Sequence, residues 1–210
     1  MNDTALAEAR FWDRKAKGYA KSPIADLPAY EKKLLVTREH LRPDMKLLEV
    51  ACGTGTTALI HAPHVAHIRA TDLSSQMIAI AKKKAADEGV DNVTFEQASI
   101  ASLDAEDGAY DAILAMSILH LLDDRRGALE KLHRLLAPGG KLFTSTPCLS
   151  DGMAWVGWIA PVARFFGFFP YVECFSEQTL MDDFAAAGFE VDYKWKPGPK
   201  KALFTIARRA

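Results

Sequence analysis

Cysteine is scarce: three thiols in 210 residues, Cys52, Cys148 and Cys174. An odd number of widely separated cysteines argues against a disulfide framework and against a zinc cluster, and it fits a reducing, cytoplasmic setting. An excess of either charge is missing as well, with 26 Lys and Arg against 27 Asp and Glu for a net charge of −1. Proteins that track nucleic-acid backbones carry a large basic surplus, so no nucleic-acid partner is expected. No apolar run reads as a membrane span. The richest one, Met153 to Phe175, has Arg164 in its middle and is broken by Pro161 and Pro170. The first twenty residues mix both charge signs without an apolar core, so they do not read as a secretion signal. Internal repeats and a linker able to divide the chain are also lacking. What remains is 49% hydrophobic and 25% charged residues, enough for a real core and outside the disordered and low-complexity classes. At about 150 residues per domain, one elaborated domain over 1–210 is the expectation.

The opening forty residues read as two helices, Ala5 to Ala20 and Ala29 to Leu41, parted by Ser22-Pro23 and stopped before Pro43. Short apolar strands then alternate with helical stretches. Lys46 to Val50 precedes a helix to about Ala62. His67 to Thr71 precedes a helix that Ser74 caps and Gly89 ends. Val93 to Glu96 follows, then Tyr110 to Met116, apolar enough for burial on both faces. A helix capped at Asp123-Asp124 runs to Ala137, and Pro138-Gly139-Gly140 turns the chain into Lys141 to Ser145. A last helix starts at Ser176-Glu177 and stops at Gly188. Phe189 to Trp195 and Ala202 to Ala207 form a final pair without a helix between them, hence an antiparallel hairpin at one edge. Five alternations at roughly 20 to 30 residues each predict a parallel sheet covered by helices on both faces.

In such sheets ligands bind outside the carboxyl ends of the strands. The turn after the first strand reads Glu49-Val50-Ala51-Cys52-Gly53-Thr54-Gly55, and its glycines let backbone approach a ligand closely. The second strand ends in Asp72, 19 positions after Gly53. A carboxylate there can accept hydrogen bonds from both hydroxyls of a ribose, worth roughly 1.5–3 kcal/mol each. Strand, glycine turn, helix and spaced acid together point to an adenosine-type nucleotide. The alternative is a tight turn followed by an ordinary helix-capping Asp.

Gly53-x-Gly55-x-x-Ala58 also satisfies a loose dinucleotide fingerprint, which keeps a nicotinamide-dependent reductase as a rival. Glu49 beside the turn would repel a pyrophosphate and welcome an ammonium group. The chain also has no Tyr followed four positions later by Lys to serve hydride chemistry.

Four segments carry a resemblance. They are Leu47 to Gly55, Ala70-Thr71-Asp72-Leu73-Ser74-Ser75-Gln76-Met77-Ile78, Tyr110-Asp111-Ala112-Ile113 and Leu136-Ala137-Pro138-Gly139-Gly140. In order and spacing they resemble class I S-adenosylmethionine-dependent methyltransferases, in the small-molecule type similar to quinone-biosynthesis methyltransferases. The resemblance covers about residues 8–150. It implies a Rossmann-like, doubly wound α/β fold with a seven-stranded sheet, mostly parallel with an antiparallel last strand. It divides the chain into an N-terminal helical lid (1–42), a cofactor-binding core (43–150), an apolar acceptor-side insertion (151–176), and a last helix with edge hairpin (177–210).

The implied cofactor is S-adenosylmethionine. The resemblance sets Glu49, Ala51, Cys52, Gly53 and Gly55 near its methionine end and Asp72 on its ribose. Leu73 and Met77 would flank the adenine, with Ser99 and Ile100 at its edge and Met116 offering backbone near the sulfonium. Phe11-Trp12-Asp13, Ala16 and Tyr19 resemble the family's lid, with Tyr19 closing over the cofactor. Two departures stand out. Ala51 replaces the first motif glycine, at some loss of room. Ala98-Ser99 stands where an acid often meets the adenine amino group, leaving that hydrogen bond to Ser99 or to backbone. Cofactor binding without turnover, in a non-catalytic module, is the third reading.

The acceptor side is less legible. His120 follows the fourth strand and is the candidate base; the alternative is a histidine packed at an apolar helix start. His61, His64 and His67 share no helical face, since Pro63 interrupts them, so no metal site is expected. Met153 to Phe175 holds two Trp, five Phe and one Tyr. It reads as one or two short helices over the pocket of a small, aromatic or lipophilic acceptor, or as a peripheral contact with a membrane surface. Packing on the sheet edge or on a second copy is the plainer alternative, and the chain is either a monomer or a homodimer. Lys194, Lys196, Lys200, Lys201, Arg208 and Arg209 follow the last acid, Asp192. They suit an anionic lipid face, or an edge hairpin protected from aggregation.

Overall fold

The computed structural model describes residues 3–153, 155–165 and 168–210. The elements are α1 (Asp3–Lys21), α2 (Leu27–Arg38), β1 (Lys46–Val50), α3 (Thr56–His61), β2 (His67–Asp72), α4 (Ser75–Glu88), β3 (Val93–Gln97), β4 (Tyr110–Met116), α5 (Arg125–Leu135), β5 (Leu136–Thr146), α6 (Val156–Phe165), α7 (Glu177–Ala186), β6 (Phe189–Trp195) and β7 (Leu203–Arg209). The strands form one mixed seven-stranded sheet in the order β3-β2-β1-β4-β5-β7-β6. Two compact units share β4: residues up to Asp104 with Tyr110–Ala112, and Ala105–Ala109 with Ile113–Ala210.

In the first unit β1, β2 and β3 pair in parallel, Leu47 opposite Ile68 and Ala70 opposite Phe95. Leu47, Leu48, Val50, Ile68 and Ala70 are completely buried. Lys46 and Glu49 interrupt the apolar run of β1, and β2 alternates, with the half-buried Arg69 between Ile68 and Ala70. Ser74 caps α4 by accepting the Met77 N–H, and Gly89 ends that helix in the left-handed region. Helix α1 is tied to the start of α4 by Asp13, whose Oδ1 accepts from the Ser74 hydroxyl at 2.6 Å and the Gln76 N–H at 3.0 Å.

In the second unit β7 pairs antiparallel with both β5 and β6, which makes β6 the edge strand and β7 an inner one. Phe143, Phe204 and Phe184 are its largest fully buried side chains. Arg125 of α5 is buried in charge and ring contacts. Its Nε and Nη2 donate to Oδ2 of Asp183 at 2.8 and 2.6 Å, and its guanidinium lies 3.8 Å from the Phe175 ring centre. Both charges are removed from water, and only their pairing makes that tolerable.

Several sequence-based boundaries shift; α2 runs from Leu27 to Arg38, not from Ala29 to Leu41. α5 stops at Leu135, not Ala137, because the chain is already extended at Leu136, two residues ahead of Pro138. The turn expected at 138–140 therefore falls within the span of β5, with Gly139 at φ 73 as its bend. β7 runs from Leu203 to Arg209, beyond the expected end at Ala207. Within Met153 to Phe175 the described residues form one helix, α6; residues 154, 166 and 167 lie outside the described ones.

Candidate functional site

The site is built from the turn between β1 and α3 in the first unit. Three of its residues take left-handed backbone: Ala51 at φ 52, Gly53 at φ 54 and Gly55 at φ 76. Gly55 has no room for a side chain. A Cβ there would come within 2.7 Å of the Phe95 ring and 2.8 Å of Ala81. Ala51 shows that the departure from glycine is felt in the backbone, since an L-residue at positive φ costs about 1–2 kcal/mol.

The turn is held to the second strand. Cys52 donates its N–H to the Thr71 carbonyl at 2.9 Å. Gly53 donates to Oδ2 of Asp72 at 2.9 Å, and Ser74 donates to Oδ1 at 2.8 Å. Asp72 is thus oriented by two backbone amides, and each of its oxygens keeps lone-pair capacity for a further donor. Burial raises its pKa, the two amides pull it back down, and Asp13 raises it again.

Glu49 is the second carboxylate. It is 3% exposed, and among the described residues its Oε2 has no hydrogen-bond partner. Burial, with the negative charge of Asp72 behind it, pushes its pKa up to about 8. A buried carboxyl oxygen without a partner is costly, and a cation beside it would relieve that cost. The same burial, with Glu49 and Asp72, raises the Cys52 thiol far above its ordinary range, so Cys52 is no thiolate nucleophile.

Tyr19 reaches this turn from α1. The position of a Gly53 Cβ would lie 3.7 Å from its ring. Its pKa is raised by burial and then by the fields of Asp72 and Glu49. The residue as a whole is still 56% exposed, so Tyr19 borders the turn without being enclosed by it.

The expected adenine side is placed less uniformly. Leu73 is half-buried, and its carbonyl accepts from Gln97 at 3.0 Å. Met77 is only 2% exposed and packs in the core. Ile100 is buried. The Ser99 hydroxyl exchanges hydrogen bonds with Ser102 in a local turn, at 2.9 Å to its hydroxyl and 3.1 Å from its N–H. Ala98 donates its N–H to the Asp72 carbonyl at 3.0 Å, which sets this loop beside the ribose-side acid.

Met116 and His120 belong to the second unit. Met116 closes β4, and Ser117 after it has φ 57 with its N–H on the Ser145 carbonyl. His120 sits in a 3₁₀ turn over Leu119–Leu121. Its Nδ1 is buried without a partner among the described residues, and burial lowers its pKa to about 4. Its carbonyl accepts the Glu173 N–H at 2.8 Å. Of the other histidines, His61 is fully buried with a pKa lowered to about 4, while His67 meets the Thr94 hydroxyl at 3.1 Å. Among the described residues no group of three His, Cys, Asp or Glu could hold a metal ion.

Several contacts carried no sequence signal. Lys84 donates to the hydroxyls of Thr54 and Thr56 at 3.0 and 2.9 Å, clamping the turn to α4. Tyr30 meets the Thr57 hydroxyl at 3.1 Å. Asp13 was read only as part of a lid segment, and its anchoring of α4 depends on tertiary contact that spacing does not encode.

Residues 47–140 match a family model described as a methyltransferase domain. The chain is 34% identical over 169 residues to a demethylmenaquinone methyltransferase of Thermus thermophilus, covering 71% of this chain and 76% of that protein. It is 30% identical over 108 residues to the uncharacterized methyltransferase YcgJ of Bacillus subtilis, covering 51% of this chain but 43% of that one. A ubiquinone biosynthesis O-methyltransferase of Azotobacter vinelandii is 30% identical, with 68% of this chain and 59% of that one aligned. Among solved structures, geranyl diphosphate C-methyltransferase from Streptomyces coelicolor A3(2) matches with a TM-score of 0.77 at 16% identity, over 100% of this chain and 99% of that one. The crystal structure of YcgJ matches with a TM-score of 0.68 at 23% identity, over 79% and 72%. At these identities the two structures speak for the fold.

Proposed function

Because this chain belongs to the class I S-adenosylmethionine-dependent methyltransferases, we propose that it methylates a small aromatic or lipophilic acceptor by in-line displacement. S-adenosylmethionine, when bound, supplies an electrophilic methyl group on a positively charged sulfur. The observation that carries the reading is the pair of acids at one turn. Asp72 is oriented by two amides for a diol, and Glu49 is buried with an oxygen in want of a donor. An α-ammonium group suits Glu49, whose ionisation it would favour, whereas the diphosphate of a nicotinamide dinucleotide would face the Asp72 carboxylate and gain no charge partner from Glu49. Gly53 and Gly55 keep the turn thin, and Tyr19 borders it as the lid.

Holding nucleophile, carbon and sulfur in line accounts for most of the acceleration, about 7–11 kcal/mol, against roughly 10²–10⁴-fold for a general base. His120 is the base in this reading. Its burial keeps the imidazole neutral at pH 7 and able to accept a proton, but a pKa of about 4 makes it a weak acceptor. The acceptor class rests on the aromatic content of Met153 to Phe175. It is supported by relatives named for demethylmenaquinone and for ubiquinone biosynthesis. Residues 151–176 are assigned to the acceptor side on the same grounds, and the chain remains one methyltransferase domain in this reading.

The test joins binding to turnover. S-adenosylhomocysteine is expected to raise the melting temperature, and nicotinamide dinucleotides are not, since only a ligand of the native state stabilises it. Transfer of a labelled methyl group is then measured across quinols, catechols, other phenols, amines and peptides. Turnover confined to the aromatic hydroxylated set supports the proposal. Binding without turnover on any acceptor overturns it in favour of a non-catalytic module.

A further inference from the structure

We propose that the second unit docks peripherally on an anionic lipid surface through the outward face of α6 together with Phe168 and Phe169. This inference stands apart from the choice of acceptor.

Trp155, Trp158 and Ile159 are 60%, 84% and 56% exposed. The carbonyl of Trp155 accepts the N–H groups of Trp158 and Ile159, so these three lie on one helical stripe. The helix is held to the unit by its other side: Ala160 is buried, and Gly157 faces Cys174, whose sulfur would lie 3.4 Å from a Cβ there. Phe168 and Phe169, 74% and 44% exposed, add apolar surface beside the end of α6, with the Phe168 N–H on the Ala163 carbonyl at 2.9 Å. Two indoles and two phenyl rings presented to water from one short segment mark an interaction surface. Aromatic rings of this kind settle at the headgroup level of a bilayer.

Charge decides which occupant fits. Positions 152–172 contain no acid, and none follows Asp192. The flanking acids are engaged elsewhere, Asp151 accepting the Glu177 N–H and Glu173 paired with buried Arg125. The β6–β7 turn brings lysines to the N-terminal end of the segment. The aliphatic stem of Lys200 lies against Gly152, its Cγ 3.4 Å from where a Cβ would be, and Lys201 is next to it in the chain. Arg164 adds a cation over the Tyr171 ring, 5.1 Å from its centre. An apolar face with a cationic rim matches anionic headgroups. A two-fold contact between copies would instead set this patch against itself and bring its cations together. α6 has ten residues, about 15 Å of helix against a hydrocarbon core of about 30 Å, so it lies on the surface and does not cross it.

The full chain is sedimented with vesicles of phosphatidylcholine alone and of phosphatidylcholine mixed with phosphatidylglycerol. Binding to the mixed vesicles, with a blue shift of tryptophan emission, is the expected result. Trp158→Asp should weaken partitioning at least about tenfold, and Lys200→Glu about fivefold, the latter on anionic vesicles only. Leu35→Asp, a comparably exposed site on α2, should leave partitioning unchanged. Retained S-adenosylhomocysteine binding shows that each variant is folded. The proposal is overturned by absence of vesicle binding, by binding that Trp158→Asp does not alter, or by a lipid-free dimer that this substitution dissociates in a chain that ignores vesicles.

Discussion

Gly53 donates its backbone N–H to Oδ2 of Asp72 at 2.9 Å, so the glycine turn and the acid at the end of β2 are one structural unit. This single bond converts a sequence spacing into a site. It fixes the carboxylate proposed to meet a ribose and the backbone proposed to lie beside the methionine portion of the cofactor.

Asp72→Asn keeps the size of the side chain but removes the charge, and one oxygen becomes a donor facing an amide or a hydroxyl. The expected loss is about 2–3 kcal/mol of S-adenosylhomocysteine affinity, the worth of a charge-assisted bond or two. Isothermal titration measures it, and an unchanged affinity would remove Asp72 from the ribose.

Gly55→Ala introduces a methyl group into space held by the Phe95 ring and Ala81, at a φ of 76. Overpacking and left-handed strain together should cost about 2–3 kcal/mol of folding stability. Urea denaturation with an unchanged slope is the check.

The fold was largely readable because its signals are local. The short strand at Leu47–Val50, apolar except for Glu49, the continuous apolar run Ile113–Ala115, the Ser74 cap and the Gly89 stop each declare themselves within a few residues. So did the turn and its acid. What escaped was long-range. The Lys84 clamp on Thr54 and Thr56 spans thirty positions, and the Arg125–Asp183 pair spans 58. No periodicity encodes such meetings. The positive φ of Ala51 was equally hidden, since alanine is the last residue one expects there; the sequence suggested a shortage of room, and the strain proved to be in the backbone.

The buried ionisable groups set a pH optimum for stability. Glu49 keeps its proton up to about 8 in the folded chain but loses it near 4.5 when unfolded. Between those values the native state holds the extra proton, so stability falls as pH rises, by about 1.4 kcal/mol per unit. His61 and His120 are lowered from 6.5 to about 4. There the unfolded state binds the protons, and stability is lost as pH falls below 6.5. The cofactor-free protein should therefore be most stable near pH 6.5. Glu49→Gln should flatten the alkaline limb and steepen the acid limb between pH 4.5 and 6.5, as denaturation midpoints across pH would show.

His120→Ala should lower kcat by less than about 10²-fold with little change in KM, because a base with so low a pKa contributes modestly beside positioning. Single-turnover methyl transfer is the measurement. An unchanged rate would exclude His120 as the base.

The central claim is that the Glu49 carboxylate receives the ammonium group of the cofactor. Calorimetric titration with S-adenosylhomocysteine at pH 7, in buffers of different ionisation enthalpy, counts the protons that move. A carboxyl group with a pKa of about 8 that becomes ionised on binding should release about 0.9 of a proton, and Glu49→Gln should abolish the release. Binding with no proton exchange in the native sequence would contradict the account.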